Sequence, residues 1–343
     1  MSGTLPGTKD EKIAPNSPET TSPPADSTPN RTVDETSAGS AATPATAPSP
    51  PRSPLDGCPV PISWQVVLRE FREQAPLQSI PHPTGPIEYR AWGNGPPIYL
   101  LNGMGGTLDH FALVTHLLRD QFRCVIPEYP SVSQLGGRCF SLTLDDLSNR
   151  AVALADHLED QQFNLFATSL GSLVSWNLMS RFPNRVIKAV IAGGFSHRVL
   201  SPAERFLVRL GRFLPIHVHS LPLAKLVHQA THRPWFPPTD PTRWNYFSDI
   251  AGSVPVRDLA WRGKLIRDND LTNLLPGINM PVLLIQGEGD GRISNKCRDV
   301  LHANLPHSQV EMMANTGHLP HITHPHRLGK SIRNFFLPPE VAK

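Results

Sequence analysis

The stretch Leu165-Phe166-Ala167-Thr168-Ser169-Leu170-Gly171 takes an apolar run straight into a small-x-Ser-x-Gly turn, and Leu170–Phe182 continues it with the spacing of a helix. A strand that bends sharply into a helix leaves the residue at the bend standing clear of the sheet edge. Small neighbours, here Ala167 and Gly171, give the bend room. Ser169 occupies that position, at a predicted helix N-terminus. Backbone N–H groups there, including that of Leu170, point toward any developing negative oxygen. A serine at the start of a helix is by default an N-cap. A nucleophilic role requires more: a base for the hydroxyl, and a group that orients the base.

The flanking pattern predicts where those partners could stand. Upstream, Ile62–Phe71 reads as an amphipathic helix and Ile87–Ala91 as a strand. Ile98–Leu101 is a short apolar run, followed by a helix over Phe111–Leu118, a strand over Cys124–Ile126 and a helix over Leu142–Leu158. Asn164–Ala167 then leads into the Ser169 turn, and Ile187–Ala192 forms the next strand. Short strands alternating with longer helices imply parallel βαβ units with helices on both sheet faces. Their lack of polar/apolar alternation fits strands buried on both sides. The pattern stops over 197–276, where apolar-periodic pieces at Ala203–Leu214 and Leu223–Ala230 are separated by Pro-rich joints. It resumes with Val282–Ile285, a helix over Lys296–Leu305, the strand Gln309–Met313 and a helix over Leu328–Phe336.

Two strand ends in the resumed part hold the required partners. Gln286-Gly287-Glu288-Gly289-Asp290-Gly291 ends one strand with acidic residues in a Gly-rich loop, and Asp290 is the expected carboxylate. Asn315-Thr316-Gly317-His318-Leu319 follows the last strand and brings His318 to the same carboxyl edge, where open α/β sheets bind ligands. The chain order Ser, Asp, His is that of a Ser-His-Asp triad in such a sheet.

A fourth part is Asn102-Gly103-Met104-Gly105-Gly106, whose glycines let the loop approach a substrate and expose the Met104 N–H. With Leu170 N–H this makes a two-donor oxyanion hole. The loop lacks the spacing of a P-loop or a dinucleotide fingerprint, so no nucleotide cofactor is expected. Glu128 and Tyr129 follow the Cys124–Ile126 strand and are candidate pocket-rim residues. His217, His219, His228 and His232 lack the carboxylate and cysteine partners and the ligand spacing of a metal site, and no metal is expected.

Composition bounds the rest. With 32 Lys and Arg against 29 Asp and Glu, the chain has no electrostatic footprint for nucleic acid. Cys58, Cys124, Cys139 and Cys297 have no close redox or zinc spacing, and Cys124 reads as a buried apolar residue. Residues 1–20 lack the apolar stretch of a secretory signal, and no segment is long and apolar enough to span a bilayer. A cytoplasmic protein is expected. Residues 1–55 contain eleven of the 37 prolines and no aromatic residue, a composition that predicts a disordered tail. The expected organisation is therefore tail 1–55, first core part 56–196, helical cap insertion 197–276 and second core part 277–339.

From about Gly85 to Phe336 these motifs resemble the α/β-hydrolase superfamily, in particular its serine-nucleophile, cap-bearing members. The resemblance implies a mostly parallel central sheet flanked by helices, with an inserted helical cap. It further implies that Ser169 attacks an acyl carbon, His318 moves the proton, Asp290 orients the imidazole, and the Met104 and Leu170 N–H groups hold the oxyanion. Water then clears the acyl-enzyme, with a small or medium carboxylic ester as the expected substrate. Ala167 stands where the family usually has the first Gly of its Ser motif, and Asn102 where a His is common. Glu128-Tyr129-Pro130, Asp156-His157-Leu158 and Ala167–Gly171 are more loosely similar to maspardin, an α/β-hydrolase-like protein thought to act by binding. The alternatives are thus a non-catalytic binding or adaptor protein, in which Ser169 Oγ stands beyond hydrogen-bond reach of His318, or a serine amidase, C–C hydrolase or acyltransferase.

Overall fold

The computed structural model describes residues 63–337, so the expected tail lies outside the described residues. The chain enters through helix α1 (Trp64–Gln74) and a short strand β1 (Gln78–Ile80), then β2 (Ile87–Trp92) and β3 (Pro97–Leu101). Helix α2 (Ala112–Leu118), β4 (Arg123–Pro127), α3 (Val132–Leu135), α4 (Leu144–His157), β5 (Phe163–Thr168), α5 (Leu170–Arg181) and β6 (Val186–Ala192) follow. Next come α6 (Pro202–Gly211), α7 (Ala224–Thr231), α8 (Arg243–Gly252) and α9 (Val256–Asp268). The sheet pattern closes with β7 (Val282–Gly287), α10 (Gly291–Asn304), β8 (Ser308–Met313), α11 (Pro320–Thr323) and α12 (Pro325–Phe336).

The eight strands form one sheet in the order β1-β2-β4-β3-β5-β6-β7-β8. β1 and β2 are antiparallel to their neighbours; from β4 to β8 every pairing is parallel. The chain steps outward from β3 to β4 and returns to the other side of β3 at β5. That reversal opens a crevice at the carboxyl ends of β3 and β5, the ligand position of an open α/β sheet. Register aligns Leu101 with Ala167 and Thr168 with Ala192, so the loops after β3, β5 and β6 leave the sheet side by side.

β5 is buried at every position, as its unbroken apolar run dictates. One face packs Tyr99, Leu165, Leu173, Trp176 and Leu284 beneath α4, α5 and α10, and the other packs Ile98, Phe111, Phe166, Leu328 and Ile332 beneath α1, α2 and α12. Each large side chain so buried contributes about 2–3 kcal/mol. Helix starts follow local chemistry. At α4, Asp146 N–H donates to Thr143 Oγ1 (3.2 Å) and Thr143 N–H to the Asp146 carboxylate (2.8 Å).

The predicted elements recur with small shifts, but α10 begins at Gly291, five residues before the expected Lys296. Asp290 therefore sits at a helix start, at the end of a tight turn. The insertion between β6 and β7 holds α8 and α9 in addition to the two expected helical pieces. No helix among the described residues is long and apolar enough to cross a membrane.

Candidate active site

Ser169 bridges β5 and α5 at φ +50°, ψ −115°, a conformation that costs a non-glycine residue on the order of 1–3 kcal/mol. The bend is held from several sides. Ser169 N–H donates to Ala192 O (3.2 Å), Ser172 N–H donates to Ser169 O (2.9 Å), and Ser172 Oγ lies 2.6 Å from the same carbonyl. Gly171 is needed for close approach, because a Cβ there would press into the Leu101 carbonyl. The Ser169 hydroxyl makes no capping bond to α5. The ordinary reason for a serine at a helix start is therefore not what holds this one.

Asp290 and His318 stand side by side. His318 Nδ1 lies 2.8 Å from Asp290 Oδ1, and the Asp290 side chain is only 2% exposed. Gln286 Nε2 (2.6 Å) and Gly287 N–H (3.3 Å) donate to the other Asp290 oxygen, fixing the carboxylate plane. The two loops are tied together: Gly289 N–H donates to Thr316 O (2.9 Å), and Asn315 N–H donates to the Glu288 carboxylate (2.9 Å). Gly193 sits between this pair and the serine. It follows Ala192, which accepts from Ser169 N–H, and a Cβ on it would lie 2.8 Å from both Cε1 and Nδ1 of His318. Ser169 and His318 line the same cavity, yet no hydrogen bond joins the Ser169 hydroxyl to the imidazole among the described residues.

The loop Asn102–Gly106 faces Ser169 across this cavity; a Cβ on Gly103 would be 3.3 Å from the Ser169 Cβ. Among the described residues, neither the Met104 N–H nor the Leu170 N–H has a hydrogen-bond acceptor. The loop is braced from behind. Asn102 Nδ2 donates to Thr107 O (3.0 Å), and Tyr129 Oη donates to Asn102 O (2.8 Å). Arg262 of α9 donates to Met104 O (3.1 Å) and Gly106 O (2.9 Å). Glu128 stands 3.7 Å from that guanidinium and accepts from the N–H groups of Leu108 (2.9 Å) and Tyr129 (3.0 Å). Burial pushes the Glu128 carboxyl up to about 7, against the opposing pull of Arg262 and the two N–H donors. Glu128 and Tyr129, expected at the pocket rim, lie behind the loop and do not line the cavity.

The cavity has a volume of about 790 Å³ and is walled by core loops on one side and the insertion on the other. Burial drives His110, in its wall, down to about 3 and His321 well below its ordinary value, so both imidazoles are neutral there. Thr107 N–H donates to His110 Nδ1 (3.0 Å), whereas His321 Nδ1 has no hydrogen-bond partner among the described residues. Trp235 of the insertion lies over the acid and base loops: a Cβ on Gly289 or Gly317 would run into its indole. The aromatic residues of the insertion divide by role. Phe236, Trp244, Tyr246 and Phe247 form a small core with Ile322, Phe247 and Trp235 also reach the cavity, and Phe206 and Phe213 face outward.

Sequence reasoning missed Gly193, Arg262, His110 and His321. Of these only Gly193, a glycine immediately after a predicted strand, carried a local signal.

Among relatives, a pimeloyl-[acyl-carrier protein] methyl ester esterase of Vibrio vulnificus is 24% identical over 266 residues, covering 73% of this chain and 97% of that one. The crystal structure of an enol-lactonase from Burkholderia xenovorans superposes with a TM-score of 0.65 at 19% identity, covering 75% of this chain and 99% of the other. A hydrolase from Pseudomonas aeruginosa gives 0.63 at 20% identity, over 77% and 99%. The family model described as alpha/beta hydrolase fold matches residues 96–325, about two-thirds of the chain, and the protein belongs to that family.

Proposed function

We propose that the protein is a serine hydrolase that cleaves a small or medium carboxylic ester. The observation that carries this reading is the uncapped Ser169 hydroxyl, held at a strained bend in the cavity that also contains the Asp290–His318 pair. Ser169 Oγ attacks the acyl carbon while His318 Nε2 takes its proton, and Asp290 stabilises the imidazolium. The carbonyl oxygen becomes an anion between the Met104 and Leu170 N–H groups; one such donor is typically worth about 3 kcal/mol of barrier. Collapse breaks the acyl–oxygen bond, and the alcohol leaves with the proton from His318. Water then attacks the acyl-enzyme, giving its proton to His318, and the regenerated Ser169 hydroxyl takes that proton back as the acid departs.

Similarity to a methyl ester esterase and to an enol-lactonase supports an ester as the bond broken. A cavity of about 790 Å³ is in the size range of small-molecule sites. The cavity's apolar residues Val218, Val227, Phe247 and Leu259 suit an aliphatic or aromatic acyl group.

One observation stands on the side of a binding protein on the same scaffold: the missing Ser169–His318 hydrogen bond. In a ligand-free site that bond is commonly long and forms only as substrate closes in. A fluorophosphonate probe followed by peptide mass spectrometry separates the two readings. Labelling at Ser169 in the wild type, lost in Ser169→Ala and His318→Ala, is the expected result. Folded wild-type protein that takes up no label at any pH from 6 to 9 would favour the binding reading.

A further inference from the structure

Between Arg198 and Thr239 the chain has six Lys or Arg residues and a single acid, Glu204, although its overall charge is close to balanced. Glu204 is already paired with Arg198 at 2.5 Å. The same segment turns large apolar side chains outward. Phe206, Leu207, Phe213, Leu223, Leu226 and Val227 are each more than half exposed.

The placement is ordered. On α6, Val208 and Gly211 turn inward, where Cβ positions at Gly211 and Gly263 meet α9 and Val208 respectively. Phe206, Leu210 and Phe213 recur at i, i+4, i+7 and form one outward stripe. Arg205, Arg209 and Arg212 repeat the same spacing one residue earlier and form an exposed basic row beside it. Leu223, Leu226 and Val227, at the start of α7 and on it, are exposed apolar residues as well, and Val227 and Ala230 also line the cavity. Lys225 and Arg233 stand exposed at the same helix and just after it.

An apolar stripe flanked by a basic row is the pattern of a helix that lies in a lipid interface. We propose that this outer face of the insertion docks the protein on an anionic lipid surface. A second copy fits poorly, because a self-complementary contact would set bases against bases with no free acid to answer them. The 1–55 segment carries no aromatic residue with which to cover the stripe. Docking is peripheral, since no helix among the described residues can span the bilayer. Delivery of an acyl ester from that surface into the cavity rests on the esterase reading; the docking itself does not.

The test is cosedimentation of the full chain with vesicles of phosphatidylglycerol and phosphatidylcholine, against phosphatidylcholine alone. Binding to the mixed vesicles and little to the neutral ones is expected. Arg205→Gln/Arg209→Gln/Arg212→Gln should weaken it roughly 100-fold, at about fivefold per charge. Phe206→Ser/Phe213→Ser should abolish it with the melting temperature retained. Ser169→Ala should bind like the wild type, which separates failure of docking from failure of the catalytic reading. Equal binding to both vesicles, none to either, or full binding by both surface variants would overturn the proposal. So would a concentration-dependent dimer, lost in Phe206→Ser/Phe213→Ser, in protein that ignores vesicles; the face would then join two copies.

Discussion

Replacing Gly193 by Ala tests whether the His318 imidazole stands where proton transfer needs it. The backbone at Gly193 has φ +58°, so an alanine there costs about 1–2 kcal/mol and lowers the melting temperature by a few degrees. The larger effect is local. The new Cβ would lie 2.8 Å from both Cε1 and Nδ1 of His318, whereas ordinary contact begins near 3.4 Å, so the ring must retreat by about 0.6 Å. Its 2.8 Å bond to Asp290 lies on the side that is pushed, and that bond lengthens or breaks. Displacements approaching 1 Å in a catalytic group cost on the order of 100-fold in rate. The expected result is kcat on a p-nitrophenyl ester reduced about 100-fold with KM little changed. Gly277→Ala, where an added Cβ meets nothing within 4 Å, serves as the control and should leave both constants intact. A folded Gly193→Ala protein that retains kcat within twofold would show that catalysis does not use the imidazole in this position.

Trp235→Ala and Gly289→Ala should give the same phenotype from opposite sides, since one removes the indole over the acid loop and the other displaces it. Steady-state kinetics should show kcat down roughly tenfold in each, and a silent Gly289→Ala would refute the clamp. Arg262→Met removes two hydrogen bonds to the oxyanion loop and leaves Glu128 without its cation, and should destabilise the fold by about 3–5 kcal/mol in urea. Adding Glu128→Gln should recover part of that loss; strict additivity would dissolve the pair. Glu128 also predicts a pH dependence. Its folded pKa of about 7 lies above the ordinary 4.5, so the folded chain holds a proton that the unfolded chain releases. The group's contribution is fully present below 4.5 and declines as pH rises to about 7, by about 3 kcal/mol. Buried histidines tilt the other way, so the quantity to measure is the urea stability of Glu128→Gln relative to wild type from pH 4.5 to 8. It should rise across that interval, and a flat difference would exclude the shifted carboxyl.

Ser169, Asp290 and His318 could be brought to one edge from the sequence because each follows a predicted strand, fully buried in β5 and β7 and mixed in β8, and parallel topology sends all such ends to one edge. The Asn102–Gly106 loop was legible for the same reason, with glycines marking a close approach. Arg262 was not. It lies on a helix reading Val-Arg-Asp-Leu-Ala-Trp-Arg-Gly-Lys, where Asp258 and Arg262 at i, i+4 look like a solvated ion pair. In the fold they take different partners: Asp258 accepts from Val132 N–H at 2.7 Å, and Arg262 reaches the Asn102–Gly106 loop. Nothing local distinguishes such a helix from a surface helix, because its partners lie more than a hundred residues away. Glu128 illustrates the converse. Its position after β4 was read correctly, but side-chain direction is set by the distant α9.

The division of labour between core and insertion follows from these contacts. The sheet brings Ser169, Asp290 and His318 to one edge, and two side chains that the core does not provide contact the loops around them. Arg262 holds the carbonyls of Met104 and Gly106 from behind, and thereby fixes the loop that also carries the Met104 N–H. Trp235 covers the loops that carry Asp290 and His318, where glycines leave room only for its indole. An insertion that served selectivity alone would touch the substrate and leave the catalytic loops to the sheet. This one touches the Asn102–Gly106 loop on one side and the Asp290 and His318 loops on the other. Any force on its outer face, where Phe206, Phe213 and their neighbouring arginines stand, acts on a body that also carries Arg262 and Trp235. If Ser169, Asp290 and His318 react as proposed, substitutions in the insertion should alter kcat as well as KM.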